Sequence, residues 1–517
     1  MPSSPLPRCG ITWILLSLIS MGASAGDIHS LAGNKHLFLD EFLLDEIKGA
    51  HITVNAAEKG DLVLFADQPW EAGGVTSYGN VLWDPYAKEY RMYYVPVCWD
   101  VQPGFCLALA TSKDGIHWEK PHLGAVEWKG NKDNNIVIWA QREGTVVIVP
   151  EAPPEKRYAY VTSSQEVGGT RLFVSPDGIH FTQEEVLLSR HHSDSQISTF
   201  WDNQIQKFVH FFKVYEGERG DWYRDAQVSV APNIPYPQSE VLGRSVGRVE
   251  VANLADPWPE KFEVVIARDD QDPPAMDLYT NSAEKYALAP DTYYAFPTPY
   301  YHYNEPANRA YLNTPTLEAG GKTNDGVIEI QLATSRDGRL WTRYRTPYVP
   351  LHRYEDMDLR VILAYPGILY FDDHLVHYYC AYNFTHGDTQ VRYKNLGRKL
   401  GGVFRVQQRI DGFTSLDFDY TGGTVVTAPF SFKGKRLVLN VNTSASGEGR
   451  VAILDVEGNE IPGFGVEDSR FINGDYLAKT ASWKDGAWDV SSLAGKPIRL
   501  KLAFRGSKVY SFQFKEE

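Results

Sequence analysis

Cysteine is scarce in this chain. Its 517 residues include 4, and Cys9 lies in the extreme N-terminal segment. The other three, Cys98, Cys106 and Cys380, are odd in number, which excludes a fully paired disulfide framework. Cys98 and Cys106 are close enough in sequence either to bridge a hairpin or to remain buried thiols. No cysteine spacing matches a structural zinc site. Long apolar runs are also few. Beyond the N-terminus no stretch reaches the roughly 18 consecutive apolar residues of a membrane-spanning helix. Helical periodicity is missing too: no segment of ten or more residues repeats its apolar positions every three to four. An excess of positive charge is absent, since 51 Lys and Arg face 65 Asp and Glu for a formal charge of −14. The acids are dispersed rather than run together. This disfavours DNA, RNA and anionic membranes as partners, while an anionic sugar stays open.

The N-terminus reads as a secretory signal. Arg8 supplies a positive charge, Ile11–Ile19 is a short apolar run, and Ala23-Ser24-Ala25 fits a small-residue cleavage site. Residues 1–25 are expected to leave, giving a secreted or periplasmic protein that starts near Gly26. What remains is rich in aromatics, with 30 Tyr and 13 Trp. Such side chains pack sheet cores, and they also line clefts for carbohydrates, where an apolar face and a polar rim are both needed.

Two patterns recur. SKDGIHW (Ser112–Trp118), SPDGIHF (Ser175–Phe181) and SRDGRLW (Ser335–Trp341) each join an Asp-Gly turn to an aromatic. GNVLWDPYAKEYRMYY and STFWDNQIQKFVHFF share the order strand, Trp-Asp turn, Lys, aromatic strand. Repeats of short strands at this spacing indicate an all-β architecture repeated radially, a β-propeller with its chemistry in a central funnel. The units are expected to start near Leu82, Asn134, Asp194, Tyr293 and Val361, and the segment Leu37–Leu44 to form a short strand or turn that feeds the domain. After about Phe404, alternating strands with Gly-rich turns predict a β-sandwich. The expected organisation is a propeller over residues 26–403 and a sandwich over 404–517.

These features together resemble the five-bladed β-propeller glycoside hydrolases, the invertase-like and arabinanase-like group. The carrying residues are HLFLDEFL with Asp40, the S-x-D-G-x-x-[WF] turns, the Trp-Asp strand pairs and the C-terminal sandwich. The resemblance implies a hydrolase acting on a poly- or oligosaccharide, with three acids in the funnel. Asp40 matches the first by position, without the surrounding NDPNG. Asn134-Asn135 stands where the second acid is found, and the Arg268-Asp269 pair comes much later. Asp194 stands where the group carries Glu. Fructan or arabinan specificity, and retention or inversion, stay open.

Cleaving a glycosidic bond needs one carboxyl group to donate a proton and another to act as base or nucleophile. Asp40 lies in an apolar run, where a carboxylate needs a partner; a turn cap is the alternative. Asp194 begins an inner strand beside His192. Arg268, Asp269, Asp270, Asp272 and Asp277 crowd a Pro-containing loop that either reaches the funnel or holds a structural Ca²⁺. Glu329 interrupts an apolar strand and must be paired or functional, with Arg336 as its nearest candidate partner. Asp40, Asp194, Asp277 and Glu329 are therefore the expected catalytic acids. His192, Arg268, Asp269, Tyr279, Tyr300, His302 and Arg336 are the expected substrate contacts. Asp114, Asp177 and Asp337 recur with the turn and are assigned to it. No organic cofactor is needed for cleavage by water; a bound Ca²⁺ or halide would be structural. The rival readings are a carbohydrate-binding propeller without catalysis, a lyase and a phosphorolytic enzyme.

Overall fold

The computed structural model describes residues 28–98, 104–164, 169–191, 193, 195–216, 243–273, 276–302, 326–386 and 400–516. Strands dominate, and the only helices among the described residues are short 3₁₀ turns. None of them is long and apolar enough to cross a membrane.

Three four-stranded antiparallel meanders follow one another. The first comprises Val75–Asp84, Glu89–Pro96, Cys106–Ser112 and Ile136–Trp139. The second comprises Thr145–Ile148, Tyr158–Ser164, Gly169–Ser175 and Thr182–Ser189. The third comprises Ser198–Asp202, Lys207–Glu216, Gly243–Val251 and Glu263–Ile266. A fourth set repeats the plan with broken strands. Met276–Leu278, Pro299–His302 and Gly326–Ile328 pair at one end, and Glu284–Lys285, Tyr293–Ala295, Ile330–Ser335 and Trp341–Val349 at the other. Val361–Ala364, His374–Tyr382 and Gly401–Arg409, from late in the chain, continue the sheet of Met276–Leu278, Pro299–His302 and Gly326–Ile328 through a parallel Ile328–Val361 pair, and are grouped as a fifth set. Its outer strand is Glu58–Leu64, from the N-terminal region.

The first strands of these sets are hydrogen-bonded in succession. Asn80 Nδ2 donates to the Val146 carbonyl and Val146 N to Asn80 Oδ1, both at 2.9 Å. Thr199 N donates to Thr145 Oγ1 at 2.9 Å. Ser195 Oγ donates to the Tyr279 carbonyl at 3.0 Å. Ser282 Oγ donates to the Ala364 carbonyl at 2.7 Å. Val81 N donates to the Pro366 carbonyl at 2.9 Å, joining the fifth set to the first.

The three Asp-Gly turns share one geometry. The Ser hydroxyl accepts the Gly N–H at 2.9 Å in each. The Asp Oδ1 accepts N–H groups two and three residues on, at 2.8 and 2.8 Å for Asp114, 2.9 and 2.8 Å for Asp177, and 2.7 and 2.9 Å for Asp337. Gly115, Gly178 and Gly338 take φ of 72°, 74° and 71°, which a side chain disfavours. A tyrosine from the neighbouring set locks two of the turns: Tyr378 Oη donates to the Gly115 carbonyl at 2.5 Å and Tyr93 Oη to that of Gly178 at 3.0 Å.

Partial burial pulls the Asp177 carboxyl up, but the N–H groups of His180 and Ile179, the His180 ring and the Ser175 hydroxyl outweigh it and hold it at about 2. Asp337 and Asp114 are lowered as well. A depressed folded-state value means stability that is present above the unfolded value, near 4, and lost as pH falls through the folded one. Thermal melting is therefore expected to drop steeply between about pH 4 and pH 2. Asp177→Asn, which keeps the Oδ1 acceptor, flattens that drop. An unchanged acid limb in the variant would contradict the assignment.

Three expectations about segments change. Ile136–Trp139 is the edge strand of the first set, not the start of the second, because Asn135 Nδ2 donates to the Leu109 carbonyl at 2.9 Å. The fourth set starts at Met276, ahead of Tyr293. The first N-terminal strands pair with strands late in the chain rather than within the expected 26–403 unit. His36–Leu37 pairs with Ser507–Lys515, Leu44–Lys48 with Gly423–Thr427, and Ala50–Val54 with Thr414–Phe418. Phe404 falls inside a strand of the fifth set. The C-terminal two-sheet unit thus combines early and late strands around Phe38, Val451, Leu500, Phe512 and Trp483. Its partners lie hundreds of residues apart, a separation that alternation alone does not encode.

Candidate active site

In the fourth set Asp277 pairs with Tyr300 across the sheet. Side chains alternate along a strand, so Asp277, Tyr279, Tyr300 and His302 share one face. The Asp277 side chain is nearly buried, with the residue 5% exposed. Arg244, from the third strand of the third set, donates to its Oδ2 at 2.6 Å, and His302 Nε2 lies 3.2 Å from the same oxygen. Oδ1 is buried and has no hydrogen-bond partner among the described residues. Burial pushes this carboxyl up, but the Arg244 charge and the His302 contact outweigh it and hold it below the ordinary carboxylate range. Asp277 is thus an ionised carboxylate with one oxygen uncommitted, suited to a base, a nucleophile or a stabiliser of positive charge rather than a proton donor.

Around it runs a chain of hydroxyls and imidazole. Tyr78 Oη lies 3.0 Å from Tyr279 Oη, which lies 3.1 Å from His386 Nε2. His386 Nδ1 lies 3.2 Å from Tyr300 Oη. A neutral imidazole donates from one nitrogen and accepts at the other, so the chain has a direction that can reverse when a proton moves. The Tyr300 and His302 rings pack with centroids 3.9 Å apart. The Arg244 guanidinium lies 5.2 Å from the Tyr279 ring centre and 5.6 Å from that of Tyr300, and the Lys213 ammonium 5.9 Å from Tyr279.

The predicted residues divide clearly. Asp277, Tyr279, Tyr300 and His302 come together. His192 and Asp194 lie outside the described residues. Their neighbours are at the site: Ser195 donates to the Tyr279 carbonyl, and Ser193 Oγ accepts the Lys213 N–H at 3.2 Å. Glu329 follows Ile328, which pairs with Tyr300, so alternation sends it to the opposite face. There it accepts from Tyr301 Oη at 3.4 Å, and burial raises its carboxyl. Asp40 and Arg336 pair with each other: Nη2 donates to Oδ1 at 2.9 Å, and Nε contacts both oxygens at 3.1 Å. Arg336 also binds Asp291 at 2.8 Å. Arg336 belongs to the third Asp-Gly turn, which follows Ile330–Ser335, a strand of a different sheet from the one that carries Asp277. Arg268 is exposed, and Asp269 is an exposed partner of Arg345 at 2.5 Å. Asp272 is bound by Arg343 and Arg345. Arginines therefore pair with Asp269 and Asp272 of that loop. No group of three or more His, Cys, Asp or Glu arranged to hold a metal occurs among the described residues.

Arg244, Lys213, Tyr78 and His386 escaped the sequence reading. His386 follows the second strand of the fifth set much as His302 ends the second strand of the fourth. The repeated plan is the signal that pointed to it.

Neither a protein-family model nor a curated protein matches this sequence. Among solved structures, the chain is similar to an N-acetylgalactosamine deacetylase from F. plautii in complex with blood group B trisaccharide, at 13% identity and a TM-score of 0.40, over 70% of this chain and 96% of that one. It is similar to a fructofuranosidase from Schwanniomyces occidentalis complexed with fructosylnystose, at 10% identity and a TM-score of 0.37, over 89% and 98%. It is also similar to an endo-arabinase from Bacteroides thetaiotaomicron, at 10% identity and a TM-score of 0.36, over 66% and 96%.

Proposed function

We propose that the protein is a secreted glycoside hydrolase acting on a poly- or oligosaccharide. In this reading the five sets are blades of a propeller, closed by Glu58–Leu64 as the outer strand of the last. The leader is residues 1–25, and the site around Asp277 lies at the mouth of the funnel. The observation that carries the reading is an ionised Asp277 whose Oδ1 is buried without a hydrogen bond, set in a cluster of tyrosines and histidines of which Tyr279, His302 and His386 are partly exposed. Asp277 acts as base or nucleophile, or holds the positive charge that develops at the anomeric carbon. Asp194 donates the proton to the leaving oxygen, and His192 contacts substrate beside it. Carboxyls about 5 Å apart would give retention, and roughly 6.5–9.5 Å inversion. Asp40 and Glu329 have no part in this chemistry, being held in other contacts. Water is the only co-reactant, and any funnel Ca²⁺ or halide is structural.

A second reading has its own observation. Arg244, Lys213, His302 and His386 form a basic wall that would also receive phosphate or a uronate carboxylate, as phosphorolysis or a lyase requires. Purified protein incubated with a panel of plant, algal and bacterial polysaccharides separates these. Reducing ends released without phosphate are the expected result. Phosphate dependence would give phosphorolysis, an ultraviolet-absorbing unsaturated product would give a lyase, and binding without product would give a non-catalytic protein.

A further inference from the structure

Cys98 lies two residues past the second strand of the first set, and Cys106 starts the third. Val97 is bridged to Phe105 and Cys98 N donates to the Gly104 carbonyl at 2.7 Å, so Cys98 faces Gly104, Cys106 faces Pro96, and the two cysteines are diagonal neighbours on one face of the ladder. Their sulfurs are 3.5 Å apart, and both residues are fully buried among Trp70, Ile136, Trp128 and Trp139. The third cysteine, Cys380, lies elsewhere, in contact with Tyr382. A diagonal sulfur pair already at van der Waals distance closes to a bond by a shift of both side chains together with the backbone of the hairpin, which is free to move before its surroundings pack.

We propose that Cys98 and Cys106 form a disulfide under oxidising conditions, as the hairpin closes and before its surroundings pack. The bond pins the connection between the second and third strands of the first set. The step uses a disulfide oxidant. One cysteine loses its proton and attacks that disulfide, expelling a thiolate and leaving a mixed disulfide. The second thiolate then attacks the protein sulfur and expels the other. Two protein thiols become one disulfide, and the oxidant becomes two thiols. Burial, with Cys98 alongside, raises the folded Cys106 thiol, which favours reaction before packing and protects the finished bond afterwards.

The test is to refold the full chain from denaturant in a reduced and oxidised glutathione buffer, alkylate it unfolded, and map peptides without reduction. A linked Cys98–Cys106 peptide is expected, with Cys380 alkylated. Reducing that protein should then lower its melting temperature by several degrees, a comparison needing no variant that might misfold. Alkylated Cys98 and Cys106, or a bond from either to Cys380, would overturn the proposal. Because the oxidant is supplied in the buffer, the outcome is independent of export and of hydrolase activity.

Discussion

Asp277→Asn is expected to lower glycan turnover by roughly 10²–10⁴-fold, the range for removing a positioned acid–base group. The substitution keeps the side chain's volume and its contact with Arg244, and removes only the charge. Binding should largely survive, because Tyr279, Tyr300 and His386 are untouched; kcat falls while KM changes little. Losing the charge also breaks the buried ion pair between Arg244 and Asp277. Breaking such a pair commonly costs about 3–5 kcal/mol, so turnover must be measured well below the melting point, with near-ultraviolet circular dichroism confirming native packing. A variant that stays folded and turns over substrate within a few-fold of the parent would remove Asp277 from the chemistry.

Gly367→Ala is expected to destabilise the protein by roughly 3–5 kcal/mol, at the severe end for single substitutions. Gly367 takes a φ of 110°, and a Cβ there would lie 1.9 Å from the Val81 carbonyl oxygen. The obstacle is backbone in the first strand of the first set, which cannot rotate away. The same segment donates Val81 N to the Pro366 carbonyl, so the clash falls where the fifth set meets the first. Gly130→Ala is the control, with a φ of 78° and nothing within 4 Å of its added Cβ. It should cost only about 1 kcal/mol from backbone strain. Urea unfolding of both variants decides the matter. Equal, small losses would mean that the seam between the fifth and first sets does not limit stability.

Local chemistry was legible in the sequence. The Asp-Gly turns could be read because the Ser hydroxyl, the Asp carboxylate and the Gly φ act within a few residues of one another. Asp277 with Tyr279, and Tyr300 with His302, were found because polar and aromatic groups stood at strand positions that demand a reason. Long-range pairing was the obstacle. An acid in the apolar run at Asp40 does need a partner, and that partner is Arg336, 296 residues away. Glu329 met the same criterion as Asp277, yet strand register sends it to the other face, and a one-residue offset is invisible without the pairing. Arg244 and His386 come from the third and fifth sets and carry no local mark. The segment Leu37–Leu44 looked like an entry to the domain of residues 26–403 because alternation defines a strand without naming its neighbour.

The most direct test of the site is a structure of Asp277→Asn bound to an oligosaccharide that the parent degrades. The sugar is expected against Tyr279 and Tyr300, with the cleaved bond beside residue 277 and within reach of His386. A sugar bound beside Asp40 and Arg336, or anywhere else away from that cluster, would contradict the assignment.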